Sequence, residues 1–371
     1  MRRQILLLLL APILTWSCTR ADASSRLAYL KGGRLWVTAI EATGKPNAGA
    51  RPLRVCRAWS GETRLVWSPD GKSLAIEHSD GRYSGISLLE AKPNSAPRKV
   101  AMGADPSFSP GGAHLAFMRI PGGDTSVSDD KLDACVIELA TANTRVLRRQ
   151  AKEPFWSSDG TMIALVSTLT SDFSAPVLVV DAQSGKVSFQ TESLVNPIHP
   201  FLSPSGRYLA FEPHTSRPLS GSVIVDLRTG RFLRRDFCRR GYAQGPLQGF
   251  SSDERWLLWT WRVPDPNNDG SWLREELWLV SLDAKAKHRT GRGMGEPWPT
   301  GVFAPDGRHI LWLQPSVKRH RDQQPPDLLW ASVSDDENVI LVHGVSAFAI
   351  TSGRTGTSVH PASMATVRPS R

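Results

Sequence analysis

The residues with the clearest chemical pattern form a single run, Asp265-Pro-Asn-Asn-Asp-Gly-Ser-Trp-Leu-Arg-Glu-Glu276. It satisfies the calcium-loop spacing D-x-[DN]-x-[DN]-G-x5-E, with Asp265, Asn267, Asp269, Gly270 and Glu276 in register. Oxygen side chains at alternate positions can converge on a hard cation, and the glycine permits the sharp turn between them. The competing reading is a solvated Asn-Asp-Gly hairpin turn that needs no metal. Either way the run is expected between two strands, without the helices of an EF-hand.

A second constellation comprises Asp105, Glu153 and His199. Each lies three residues before an aromatic residue or leucine that opens a recurring turn, and Arg64, Leu247 and Thr300 occupy the equivalent place elsewhere. In three consecutive repeats these side chains would stand where inner strands approach a central channel. A metal or a polar ligand could bind between them; the alternative is polar loop ends facing water. The other histidines (His78, His114, His214, His288, His309, His320, His343 and His360) lack the i, i+4 spacing of a helical metal site. No G-x-S-x-G nucleophile turn is present, which argues against a serine peptidase.

The turn that sets this frame is Val66-Trp-Ser-Pro-Asp-Gly-Lys-Ser-Leu-Ala-Ile76. It returns as Phe108-Ser-Pro-Gly-Gly112, Trp156-Ser-Ser-Asp-Gly160, Leu202-Ser-Pro-Ser-Gly206, Phe250-Ser-Ser-Asp-Glu254 and Phe303-Ala-Pro-Asp-Gly307. Proline presets φ, Asp or Ser bonds nearby backbone, and Gly supplies positive φ. Most copies lead into a short apolar strand such as Leu115-Ala-Phe117 or Ile310-Leu-Trp-Leu313. A repeat of roughly 40 to 50 residues made of strands and turns marks a propeller.

The predicted fold is all-β: a seven-bladed propeller of four-stranded antiparallel blades over residues 24–350. Residues 26–58 supply three strands of a first blade that lacks its inner strand. Residues 345–350 follow the last blade and are expected to fill that place, closing the ring and removing its open edges. The tail 351–371, rich in Ser, Thr, Gly and Arg, reads as disordered. Residues 121–131, 213–221, 264–274 and 314–327 are long, varied connections on one rim, where recognition is expected. Lys318-Arg-His-Arg321 is a basic tip among them.

These elements resemble the TolB-like, or PD40-type, propeller family of the wider WD40-like group, across residues 26–350. The sixth copy departs most, since Ser251-Ser-Asp-Glu254 has neither Pro nor Gly, which leaves its turn geometry open. The resemblance implies a periplasmic or surface binding scaffold. Some propellers with this repeat are manganese lyases using channel histidines; His199 alone does not carry that over. The family's namesake has a further N-terminal domain, so its own role is not carried over either.

Arg2 and Arg3 before the apolar run 5–14 read as an export signal. It ends either at a lipobox-like Thr15-Trp-Ser-Cys18, with Cys18 lipidated, or after Ala23, or it stays as an uncleaved anchor. Cys56, Cys135 and Cys238 fall in separate repeats, as buried small side chains or, in an oxidising compartment, an inter-repeat disulfide. The net charge of +10 favours acidic surfaces, but no basic helix or basic-aromatic groove points to nucleic acid. The expectation is a monomeric, lipid-anchored or secreted envelope scaffold that binds a protein, peptide or glycan, with calcium as its candidate cofactor. The alternative is a carbohydrate-active enzyme, lyase- or hydrolase-like, with a metal-assisted site at the channel mouth.

Overall fold

The computed structural model describes residues 25–47, 52–57, 62–79, 84–124, 126–127, 131–168, 174–213, 223–233, 243–264, 273–283, 287–294, 301–314, 326–333 and 338–351. Apart from a 3-10 turn at Pro121–Gly123, every regular element among them is a strand. The first unit contains β1 (Arg26–Lys31), β2 (Arg34–Ala39) and β3 (Leu53–Arg57). The second contains β4 (Glu62–Trp67), β5 (Ser73–Ser79), β6 (Ser84–Glu90) and β7 (Arg98–Phe108). β7 continues as the first strand of the third unit, with β8 (His114–Arg119), β9 (Asp133–Glu138) and β10 (Thr144–Arg149).

The fourth unit holds β11 (Ala151–Trp156), β12 (Met162–Ser167), β13 (Ser174–Ala175), β14 (Val177–Asp181), β15 (Val187–Gln190) and β16 (Leu194–Val195); β13 and β16 pair apart from its main sheet. The fifth has β17 (Pro197–Leu202), β18 (Tyr208–Pro213), β19 (Val223–Asp226) and β20 (Arg231–Phe232). The sixth has β21 (Ala243–Phe250), β22 (Trp256–Pro264), β23 (Leu273–Ser281) and β24 (Lys287–Met294). The seventh has β25 (Gly301–Phe303), β26 (His309–Gln314), β27 (Asp327–Ser332) and β28 (Asn338–Val342). Finally β29 (Val345–Ile350) returns to pair antiparallel with β1, Tyr29 opposite Phe348.

Strands here are apolar on both faces because each sheet packs against two others. Ile163 and Leu165 join Ala116, Val136 and Leu147 of the third unit, while Ala164 and Val166 join Leu209, Phe211 and Val225 of the fifth. Leu258 and Leu279 meet Phe303, Ile310 and Trp312 in the same way. Leu311, Leu313 and Trp330 of the seventh unit pack with Leu27, Tyr29 and Phe348 of the first. Each fully buried Leu, Ile or Phe contributes about 1.5–3 kcal/mol, so these clusters hold the units together.

The recurring turn is more specific than its Pro and Gly suggest. In the second unit Ser68 Oγ accepts the Ser73 N–H at 2.9 Å and donates to Asp70 Oδ1 at 2.7 Å. Asp70 Oδ1 in turn accepts the Lys72 N–H at 3.0 Å. Ser157 with Asp159, and Ser251 with Asp253, repeat this circuit. The sixth copy therefore keeps the shared geometry: Glu254 adopts φ 58° where Gly71, Gly160 and Gly307 have φ 66–74°.

Two other details depart from the sequence expectation. The outer strand of the second unit and the inner strand of the third form one continuous β7, passing through Gly103, where a Cβ would lie 2.1 Å from the Met118 carbonyl oxygen. The fourth strand of the sixth unit, Lys287–Met294, is a full eight-residue strand although its Lys-His-Arg-Thr-Gly-Arg-Gly-Met run has little strand character.

Candidate binding rim and its central carboxylates

The first strands of successive units lie side by side: β29 by β4, β4 by β7, β7 by β11, β11 by β17 and β21 by β25. Near their beginnings, opposite the Ser-x-Asp turns, the pairing of first and second strands slips. Register shifts fall between Ala104 and Ser107, Lys152 and Phe155, Ile198 and Phe201, and Gln244 and Leu247. Asp105, Glu153 and His199 occupy three of these bulges at φ 54°, 54° and 51°. Each precedes a proline (Pro106, Pro154, Pro200), which has no N–H for the ladder. β4 has no proline after Arg64, and its pairing with β5 runs without a shift.

A bulged residue's amide leaves the ladder and must find another acceptor. Here the preceding unit provides a carboxylate. Asp105 N–H donates to Glu77 Oε2 at 2.9 Å, His199 N–H to Glu153 Oε2 at 2.5 Å, and Leu247 N–H to Glu212 Oε1. Arg64 Nη1 donates to Asp105 Oδ1 at 2.7 Å, with both side chains almost enclosed. Glu77 and Glu212 lie near the end of the second strand of their units, at one shared repeat position that sequence analysis did not single out. The X-Pro pairs and the glutamates nine residues after Ser68 and Ser203 were the available signal.

Burial dominates the electrostatics of this rim. It pushes Glu153 up to about 7, helped by the neighbouring Asp105 charge and opposed by Lys152, the His199 N–H and Arg64. Burial likewise pushes Glu212 up to about 8, against the Leu247 N–H and with the Glu153 charge. Both carboxyls therefore keep protons near neutrality.

The connection after β8 is tied down at its ends. Ile120 and Leu132 are buried with Ala104, and Met118 and Val127 pack onto them. Asp124 Oδ1 accepts the N–H and hydroxyl of Ser126 at 3.0 and 2.7 Å. Asp133, at the start of β9, pairs with Arg119 Nη2 and accepts the Gln150 N–H at 3.1 Å.

The other singled-out residues are placed as follows. Cys18, Asp265, Asn267 and Asp269 lie outside the described residues. Glu276 is buried on β23 and accepts the Trp278 indole N–H at 3.1 Å. Among the described residues no three His, Cys, Asp or Glu side chains converge as metal ligands.

No family model and no curated protein matches this chain. Solved structures do. TolB from Acinetobacter baumannii is similar at 18% identity, over 74% of this chain and 65% of that one, with a TM-score of 0.49. A prolyl endopeptidase is similar at 11% identity over 87% of this chain and 50% of its own, TM-score 0.59. An oligogalacturonate lyase in complex with manganese is similar at 12% identity over 85% and 83%, TM-score 0.56. The chain thus spans under two thirds of the TolB and half of the endopeptidase. At such identities the likeness shows the fold alone. That fold is a β-propeller.

Proposed function

We propose that this protein is an exported, lipid-anchored seven-bladed propeller that serves as a binding scaffold of the bacterial envelope. It recognises a protein, peptide or glycan through the rim carrying the second-to-third-strand connections. Closure of the ring is supported by the β29–β1 pairing and by the packing of Leu311 and Trp330 with Leu27 and Phe348. Export and anchoring rest on Arg2, Arg3, the apolar run and Cys18.

One observation carries the scaffold reading. The central carboxylates Glu77, Glu153 and Glu212 are spent on amides of the next unit, which makes the rim a rigid frame for the connections above it. A crosslinked pull-down of the tagged mature protein from its host's envelope tests this. One dominant partner, lost when 121–131 or 314–327 is replaced by Gly-Ser, is the expected result; no partner above background overturns it.

A second reading, a carbohydrate-active enzyme at the channel mouth, is favoured by the proton that Glu153 keeps near neutrality, as a general acid requires. Incubation with acidic and neutral glycans, with and without manganese, would release products that Glu153→Gln abolishes. Calcium binding by 265–276 predicts a higher melting temperature in millimolar calcium, lost in Asp269→Ala; an unchanged melt removes it.

A further inference from the structure

Charge is distributed differently on the two rims. On the turn rim, Lys72 is paired with Asp70 at 3.6 Å, Lys92 with Glu90, and Arg255 with Asp253 at 2.6 Å, while Lys186, Arg228, Arg231 and Arg308 are exposed at separate turns. On the opposite rim the acids are drawn inward, Asp105 to Arg64, Glu153 and Glu212 to backbone amides, and Asp133 to Arg119. Lys31, Arg34, Lys131, Arg148 and Arg149 remain exposed there, and Glu192 is the exposed carboxylate among the described residues of that rim.

The excess is most concentrated in the third unit. Arg119, Asp133 and Arg149 are direct cross-strand partners, so their side chains leave the same face of the sheet. That face also carries Phe117 and Cys135 and looks toward the second unit. Strands lie about 4.8 Å apart, which starts Arg119 and Arg149 about 10 Å from each other with Asp133 between them. Asp133 is nearly enclosed, and both its oxygens are engaged, by Arg119 and by the Gln150 N–H. It neutralises one guanidinium and holds it in place. The Arg119 side chain keeps 42% of its exposure, Arg149 is exposed beside it, and Lys131 is exposed two residues before Asp133.

We propose that Arg119, Lys131 and Arg149 form an anion-binding subsite for a phosphate group, either free or carried on a lipid headgroup. Three neighbouring cations, of which Asp133 neutralises one, leave a local excess of positive charge that suits a dianion such as phosphate better than a single carboxylate, which one guanidinium fork already satisfies. The proposal deepens the recognition-rim reading and rests on it, because it names the chemistry that the rim beside residues 120–132 takes.

The test titrates inorganic phosphate into the full chain by calorimetry at constant ionic strength, with chloride as the reference. Lys131→Ala/Arg149→Ala removes two exposed cations and leaves the Arg119–Asp133 pair in place. Lys72→Ala/Arg228→Ala, on the turn rim, removes the same charge. The first variant is expected to lose at least about tenfold in phosphate affinity, and the second less than about twofold. Lys131→Ala alone, with an expected loss of severalfold, covers the case in which Arg149 is needed for folding. Heats no different from chloride, or equal losses in both double variants, overturn the subsite.

Vesicles of phosphatidylcholine with and without phosphatidic acid separate the sources. Sedimentation with the acidic vesicles that requires Lys131 and Arg149 assigns the headgroup; phosphate binding without sedimentation assigns a soluble ligand. A pull-down without a partner alongside phosphate binding at these residues removes the scaffold reading and leaves the subsite standing.

Discussion

The two ends of each inner hairpin carry carboxylates at repeated positions, in opposite electrostatic conditions. At the turn end, burial works against the charges of Asp70, Asp159 and Asp253. Bonds from Ser68, Ser157 and Ser251 and from nearby amides outweigh it and hold these carboxyls below their usual range. At the bulge end, Glu153 and Glu212 each receive one amide N–H from the described residues, and burial wins. The number of donors per carboxylate, set against its desolvation, decides the sign. The turn end is thereby built of ordinary surface ions, and the bulge end of groups that bind protons and neighbouring backbone together.

The sharpest test of that contrast removes one partner at each end. Arg64→Ala leaves Asp105 enclosed without its guanidinium and is expected to cost about 3–5 kcal/mol in urea unfolding. Arg255→Ala, which breaks the exposed pair with Asp253, is expected to cost under about 1 kcal/mol. Equal costs would erase the distinction.

Next in size is the pH response. Glu153 and Glu212 have native values raised above the unfolded carboxylate, so the native state holds extra protons between about pH 4.5 and 8. Their contribution is fully present below that window and is lost as pH rises through it. The turn aspartates, with lowered values, act in the opposite sense: their contribution is present at neutral pH and is lost as pH falls below the usual carboxylate range. Urea midpoints measured from pH 5 to 8.5 should fall, and Glu153→Gln/Glu212→Gln should flatten the decline. A flat wild-type profile would remove the electrostatic account of the bulge end.

How far this contrast was readable in sequence follows from what kind of signal each end leaves. The turn end was legible because Trp67-Ser-Pro-Asp-Gly71 and its copies are local, and local hydrogen bonds repeat with the sequence. Even so, attention to Pro and Gly concealed the serine, whose hydroxyl closes the circuit and survives at Ser251 where Pro and Gly are gone. The strand β29 and its pairing with β1 were also legible, as a leftover strand facing a missing one. At the bulge end, Asp105, Glu153 and His199 were found by position, but their roles were not. The contacts that define them join residues 28 to 46 apart in different units, such as Glu77 with Asp105 and Glu153 with His199. The prolines after them were visible and would have announced the bulges.

Within the turn end, Ser251→Ala isolates the circuit. The Trp256 N–H loses its acceptor and Asp253 loses a donor, an expected cost of about 1–2 kcal/mol. Serine at this place should matter more than proline one residue later, so Ser252→Pro should change stability far less.

The smallest expected effect separates strain from compensation at Glu254. Its φ of 58° is one that glycine adopts freely, and a glutamate there costs about 1 kcal/mol. The same side chain reaches back to the fifth unit, where its carboxylate accepts the Ser205 N–H and, at 2.9 Å, the Ser205 hydroxyl. Because these groups are exposed, the two bonds are worth about as much as the strain. Glu254→Gly should therefore leave the urea midpoint nearly unchanged. Glu254→Ala keeps the strain and loses the bonds, so it should be the less stable of the two by about 1 kcal/mol. If Glu254→Gly proved clearly stabilising, the contact with Ser205 would be idle and the turn end would lose a bridge between the fifth and sixth units. If it proved strongly destabilising, a turn-end carboxylate would be acting as the bulge-end ones do, and the division between the two ends would fail at the sixth unit.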